Sequence, residues 1–481
     1  MGISPELYMC HLLASNKKKK KRIENKRQIH YTDKYMNMGK IFLLSLLLFA
    51  LTLSQFMLSA QDLDKMRDTI SYGTDSEIAA LLKTIKSDKI TDLDDDLTAL
   101  ALKSKNALIL NALFSYFVEG EKTGLEDKAI DILNNREDNE KTAVSAIEYL
   151  GFVKEARAKN ILQEIIAKDE SAYINPAIKS LGRIVKELGS GTADDTADYL
   201  IEYYTDKEPK QDTCREIIVA LGNTGSKKSL DFICEIIKDP DESAYLKTGA
   251  LEALALIKDY DTLETILGAA VSTDGSVRAS AILALGGFDD QKADEAIIDA
   301  FRDTFFRTRL SAVKASEARK LSSAIPYLRY RAINDDAASV RDESVIALGA
   351  LENKEANDTL LSILDDKKLT DKVRIRCAET LLKNNAGDYC DHIIELLDEA
   401  KQRRYTVLYS GLLKALSTSK TPKLEGFAAR LFTSKDVTDN AIALDITANN
   451  SFANFKDEVQ KISETKNSTL SGKATKILEK L

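Results

Sequence analysis

The chain has 481 residues, with 68 Lys and Arg against 76 Asp and Glu for a net charge of −8. Ten of the cations but only three of the acids fall in residues 1–60, so the rest carries 58 minus 73, or −15, which disfavours binding to a phosphate backbone. Of three histidines, His11 and His30 lie near the N-terminus, which excludes a multi-histidine metal centre. Six Pro, 21 Gly and no Trp suit a mostly helical chain.

The first element in chain order is apolar. Ile41–Leu53 reads IFLLSLLLFALTL, preceded by Lys40 and followed, after a short stretch, by Ser59-Ala60. A basic flank, a short apolar run and small closing residues describe a secretory signal, and the run is short for a membrane span. Residues 38–60 are therefore expected to be a signal cleaved after Ala60, with Met38 as a natural start and 1–37, including Lys17–Arg22, as an upstream extension or basic leader. The alternative is an uncleaved anchor behind a basic arm. Either reading sends the body across the membrane, and the segment is the only membrane contact expected. Residues 61–134 follow with helical patterning (Ile78, Leu81, Leu82, Ile85; then Ala107–Phe117) and are expected to be degenerate capping repeats.

From residue 135 to 481 the chain repeats itself. SVRASAILALGG from Ser276, SVRDESVIALGA from Ser339 and REIIVALGNTGS from Arg215 are the clearest copies, and units start at 142, 173, 213, 246, 277, 308, 340, 373, 408, 437 and 470. Four residues after the start come Ala146, Ala177, Ala250, Ala281 and Ala312; eight after it come Leu150, Leu181, Leu221, Leu254, Leu285, Leu348, Leu381 and Leu416. These offsets share one helical face, so they mark a buried stripe. Gly151, Gly182, Gly222, Gly286 and Gly349 come nine after the start, where a helix about to reverse is expected to want a left-handed residue. A second amphipathic helix is expected in each unit, as over 226–238, 290–303, 354–365 and 387–400. A pair of helices spaced near 33 residues cannot bury both faces alone and must stack.

These residues resemble the short HEAT-like repeat of the phycobilin-lyase type, roughly VRxxAxxALG followed by a second helix, most strongly at Ser276–Gly286 and Ser339–Gly349. The pattern weakens where Asp445 replaces Leu and where Ser316-Glu317 replaces Leu-Gly. The resemblance implies an all-α, right-handed α-solenoid of about eleven to twelve two-helix repeats, with second helices on the inner face. It also implies a scaffold that binds other proteins. It does not carry over the lyase activity, since no chromophore-handling Cys or His constellation is present.

Arg278, Arg309, Arg341 and Arg374 fall one residue after the start of four consecutive units, with Asp274, Asp303, Asp336 and Asp371 on the preceding turns. A feature repeated at every unit is expected to be a structural ladder of Arg bonding neighbouring carboxylates and carbonyls. Cys214 and Cys234 stand level in an antiparallel pair and are either two buried thiols or an oxidisable pair. Asp92–Asp96 begins like a calcium loop, but Leu97 and Lys103 stand where Gly and Glu are required, which leaves an acidic helix start. His392 lacks triad or metal context, so no catalytic residue, cofactor or metal is expected.

Arg302, Arg307, Arg309, Lys314, Arg319, Lys320, Arg329 and Arg331 oppose only Asp303 and Glu317 across thirty residues, alongside Phe305, Phe306, Tyr327 and Tyr330. Arg307, Tyr327, Arg329, Tyr330 and Arg331, with Tyr199 and Tyr203 from another unit, are the candidate partner-binding residues, because Arg and Tyr are enriched at interface hot spots. The reading is an exported, non-catalytic scaffold for protein–protein interaction in the periplasm or cell envelope. Its partner is a protein with an acidic segment or an anionic envelope polymer, not nucleic acid. An accessory subunit of a lyase or protein-modifying enzyme and a structural spacer in an envelope assembly stand as alternatives.

Overall fold

A computed structural model describes residues 62–88, 90–465, 467–479 and 481, so the expected extension and signal segment lie outside the described residues. Among the described residues every regular element is a helix. The chain divides into two compact units, one ending at Lys103 and one running from Ser104 to Leu481. In the first, a helix over 62–72 is followed by Asp75–Asp88 and Asp94–Lys103, with Ile78, Leu82, Ile85, Leu93 and Leu97 buried between them. Asp94–Asp96 form the first turn of the last helix, and Asp96 accepts from Arg67 Nε at 3.1 Å.

The second unit is a solenoid of antiparallel helix pairs. Its first helices stack on one another in sequence, from Ala107–Glu119 and Glu140–Phe152 through Gly275–Leu285 and Ala338–Ala350 to Ser468–Leu478. Side-chain caps start many of them: Asn106 accepts from Leu108 N–H, Ser243 from Leu246 N–H, and Asp274 from Ser276 and Val277 N–H. The stripe at offsets 0, 4 and 8 is buried in most units, as at Val277, Ala281 and Leu285 or Val340, Ser344 and Leu348. Even the irregular Ser316 is fully buried, its hydroxyl satisfied by the carbonyl of Val313 at 2.8 Å.

Three expectations need correction. Ile109, Leu113 and Phe117 are buried at the same offsets in Ala107–Glu119, which stacks on the next first helix, so a regular repeat precedes the one at 142. The unit placed at 437 starts two residues later: Val437 is 53% exposed, whereas Asp439, Ala443 and Thr447 are buried. Asp436 caps that helix through Thr438 N–H, and Tyr409 and Ser434 hydroxyls donate to Asp439 at 3.1 and 2.7 Å, which lets a carboxylate occupy a core position.

The glycines nine after the start are not left-handed residues. Gly151, Gly182, Gly222 and Gly349 lie inside helices, and Gly286 has φ −57. They are instead the points of closest helix approach: a Cβ on Gly222 would stand 2.5 Å from Ala253 Cα, and one on Gly182 2.7 Å from the Ala220 carbonyl oxygen. Reversal happens at offset 12, where Glu121, Lys154, Gly225, Lys258, Lys320, Glu352 and Ser451 all have positive φ.

The second helices include Leu230–Lys238, Gln291–Ala300, Ile325–Asn334 and Lys354–Asp365. Other units reverse differently: the one at 173 turns at Gly189 (φ +93), and those at 277 and 408 turn without a positive-φ residue. The unit at 373 is the tightest. Asp371–Gln402 is two helices joined at the single non-helical residue Asn385 (φ −153, ψ 80), which occupies offset 12.

Candidate interaction surface

The Arg ladder is built between units. Arg278 makes a two-pronged bond to Asp303 at 2.7 and 2.8 Å and donates to the carbonyls of Ser272 and Thr273. Arg309 does the same to Asp335 at 2.7 and 2.8 Å, reaches Asp336, and donates to the carbonyls of Asp303 and Thr304. Burial pushes the Asp303 and Asp335 carboxyls up, but hydrogen bonds from the guanidinium and from a backbone N–H outweigh it, and both lie below the ordinary carboxylate range. The carboxylate five residues before the next start is the partner, so the ladder changes where Lys368 takes that place. Arg341 then has only the carbonyls of Asp335 and Asp336, at 2.6 and 3.1 Å. Arg374 is buried against the Leu364 carbonyl at 2.7 Å, with Asp371 at 3.8 Å.

Most of the central basic segment is neutralised in the same way. Arg319 pairs with Asp289 and Asp294, Lys320 with Glu352, Arg302 with Asp299, and Arg331 with Asp335 at 3.3 Å. Among the described residues, Arg307, Lys314 and Arg329 have no carboxylate partner. The aromatics gather around the cations: Arg302 lies 5.1 Å over the Tyr327 ring and donates to its hydroxyl at 3.1 Å, and Arg331 lies 5.3 Å over Tyr330, which is 58% exposed. Arg329 and Tyr330 are exposed on the outer side of the second helix Ile325–Asn334, flanked by the half-buried Tyr327 and Arg331, while Ile325, Leu328 and Ala332 are buried. Arg307 and Lys314 sit instead on the exposed stripe of the first helix Phe306–Ala318, where Arg307 stands 6.0 and 5.9 Å from Phe305 and Phe306. The sequence cluster is thus divided between two helices.

Tyr199 and Tyr203 are engaged in packing their unit against the preceding one. The Tyr203 hydroxyl donates to Asp169 at 3.1 Å, and burial followed by that carboxylate pushes its pKa up to about 12. Tyr199 is partly buried and donates to the Gln163 carbonyl at 3.4 Å. Cys214 and Cys234 are both free thiols; Cys214 is turned toward the Pro209 carbonyl, and burial pushes its thiol up. His392 pairs with Asp365 at 2.8 Å. Among the described residues no group of three or more His, Cys, Asp or Glu could hold a metal ion, and no helix is long and apolar enough to cross a membrane.

Part of the pairing follows a rule that sequence reading missed. Lys154–Glu187, Lys320–Glu352, Lys367–Glu399, Lys423–Asp391 and Arg430–Asp398 all link positions 32 or 33 residues apart, one repeat along the stack. An opposite charge one period away was the available signal.

Solved structures match the chain only at low similarity. Kap121p has 13% identity, a TM-score of 0.41 and coverage of 86% of this chain, which spans 52% of that protein. Importin beta in an ammonium sulfate condition has 12% identity and a TM-score of 0.37 over 87% of this chain and 72% of its own. Human deoxyhypusine hydroxylase in complex with glycerol has 16% identity and a TM-score of 0.26 over 69% and 98%. No curated protein matches the chain. The family described as Spirochaete HEAT repeat protein matches residues 70–477, nearly the whole described chain, and the protein belongs to it.

Proposed function

We propose that the protein is an exported, non-catalytic scaffold of the cell envelope, and that it holds a protein partner on the outer stripe of Ile325–Asn334. A HEAT-repeat fold suits protein–protein interaction. The observation that carries the site is what remains after internal pairing: among the described residues Arg329 has no carboxylate partner, Tyr330 is 58% exposed with Arg331 over its ring, and Tyr327 on the same helix is held by Arg302. A rigid aromatic next to a free guanidinium is the composition of an interface centre, and an acidic partner segment is its counterpart. Export rests on the apolar run at Ile41–Leu53 with its basic flank.

Two measurements test this. Partner capture from the envelope should be lost by Arg329→Glu with Tyr330→Ala, in a salt-sensitive way and without change in thermal midpoint; equal capture of the same partner would remove the site. The intact mass of the native protein should correspond to a chain starting at Gln61, and a cytoplasmic species retaining Met1 would overturn export.

A further inference from the structure

We infer that a second binding site, for an acidic peptide segment, lies in the cleft beside the Asn385 kink. The cleft measures about 810 Å³ and is bordered by Asp371–Gln402 on one side and by the end of Thr406–Ser417 and the turn to Pro422 on the other. That volume is in the range of ligand-binding sites. Four cations border it, Arg376, Lys383, Lys414 and Lys420, against the single carboxylate Glu379, a local charge of +3 in a body of −15.

The internal pairing that neutralises the central segment does not operate here. Arg376 reaches Glu379 at 3.0 Å through one terminal nitrogen, while its Nε is buried with no hydrogen-bond partner. Lys383, Lys414 and Lys420 are exposed, and none has a carboxylate among the described residues. Three like charges around one cavity repel one another and add nothing to folding, and an incoming polyanion removes that repulsion.

The arrangement favours several spaced carboxylates over a single phosphate. The three ammonium groups come from three different segments rather than converging, and the neighbouring hydroxyls are already engaged: Thr418 donates to the Ala415 carbonyl at 3.0 Å and Ser419 to the same oxygen at 2.8 Å. Ammonium groups on flexible stems take single carboxylates without demanding forked geometry. Leu382, Ala386, Ala415 and Pro422 supply apolar wall for the aliphatic part of a peptide.

The kink explains why the space exists. In most other units a short loop containing a left-handed residue separates the two helices; here Asn385 alone does so, its amide donating to Asp388 at 2.6 Å. The second helix therefore starts at once, and the turn after Thr406–Ser417 closes on Asn450 of the next unit instead, with Thr421 N–H donating to its side chain at 2.7 Å.

The test is fluorescence anisotropy of a labelled hexaglutamate peptide titrated with the full mature chain. Binding should weaken with salt, and Lys383→Gln with Lys414→Gln and Lys420→Gln should weaken it on the order of tenfold or more at an unchanged thermal midpoint. The conservative Lys→Arg triple variant should retain it. The variant of Arg329 and Tyr330 should bind the peptide normally, which separates this site from the one proposed above. Equal affinity of the Gln triple variant, equal binding of a hexaglutamine peptide, or displacement of the peptide by inorganic tripolyphosphate at far lower concentration would each overturn the assignment.

Discussion

Between Gly275 and Ala350 the solenoid turns its charges inward; around Asn385 it leaves them facing a cleft. Both regions use the same two-helix unit with the same buried stripe. The difference lies in the residue five before each start, Asp303 and Asp335 in one region and Lys368 in the other, and in whether cations meet an opposite charge one repeat along. Identical packing can therefore support a sealed joint or an open, basic recess, and surface charge must be judged after the internal pairs are removed.

The comparison breaks most sharply at Asp335. Its side chain is fully buried, and it holds Arg309, only 6% exposed, by two hydrogen bonds. Asp335→Ala leaves the buried guanidinium with only the exposed Asp336 and two backbone carbonyls, and a loss of about 3 kcal/mol is expected from the urea midpoint. Asp336→Ala, at 86% side-chain exposure, should change it by less than about 0.5 kcal/mol, and the Gln triple variant of the cleft lysines should do the same. A mild Asp335→Ala would mean that the ladder seals nothing.

Gly222→Ala sharpens the role of close approach. The new methyl would meet Ala253 Cα at 2.5 Å and its carbonyl oxygen at 3.0 Å, backbone atoms that move only with their helix. A loss of about 1–3 kcal/mol is expected, against the stabilisation that Gly→Ala gives in an open helix. A gain on this substitution would show that the neighbouring helices can separate freely.

Acid separates the two regions by a smaller effect. Asp303 and Asp335 titrate lower in the fold than the ordinary unfolded value of about 3.9. Their contribution is complete above that value and is lost as pH falls through the folded ones, so the urea midpoint should drop below about pH 4. Asp335→Asn should flatten that drop, while the lysine variants of the cleft should leave it unchanged. Identical acid profiles for wild type and Asp335→Asn would remove the ladder from the titration.

The repeat was legible because burial is periodic: Ala281 and Leu285 recur as Ser344 and Leu348, and a stripe reads directly from sequence. The register at Asp439 was not, because a buried carboxylate satisfied by Tyr409, Ser434 and Lys401 looks like a surface residue. The central cations were visible as composition, but the fate of several depends on partners 25 to 32 residues away, such as Asp294 for Arg319 and Glu352 for Lys320. The cleft was invisible for a related reason. Lys383, Lys414 and Lys420 are unremarkable in sequence, and only the one-residue turn at Asn385 brings them around one space.

The smallest effect concerns the turns that both regions need. Gly225 and Lys258 occupy the same offset in successive units with φ of +70 and +56, a conformation that a Cβ penalises and glycine does not. Lys258 is exposed, and it caps Ala244–Ile257 by donating its N–H to the Leu254 carbonyl at 2.8 Å, a bond glycine keeps. Lys258→Gly removes the strain of the left-handed backbone, although glycine also adds freedom to the unfolded chain. The net expectation is a gain of roughly 0.5 kcal/mol, and Gly225→Ala should lose about 1 kcal/mol by the same urea measurement. If Gly225→Ala were neutral while Lys258→Gly destabilised, offset 12 would not be where the helices reverse under strain, and the contrast with the extended Asn385 turn would lose its basis.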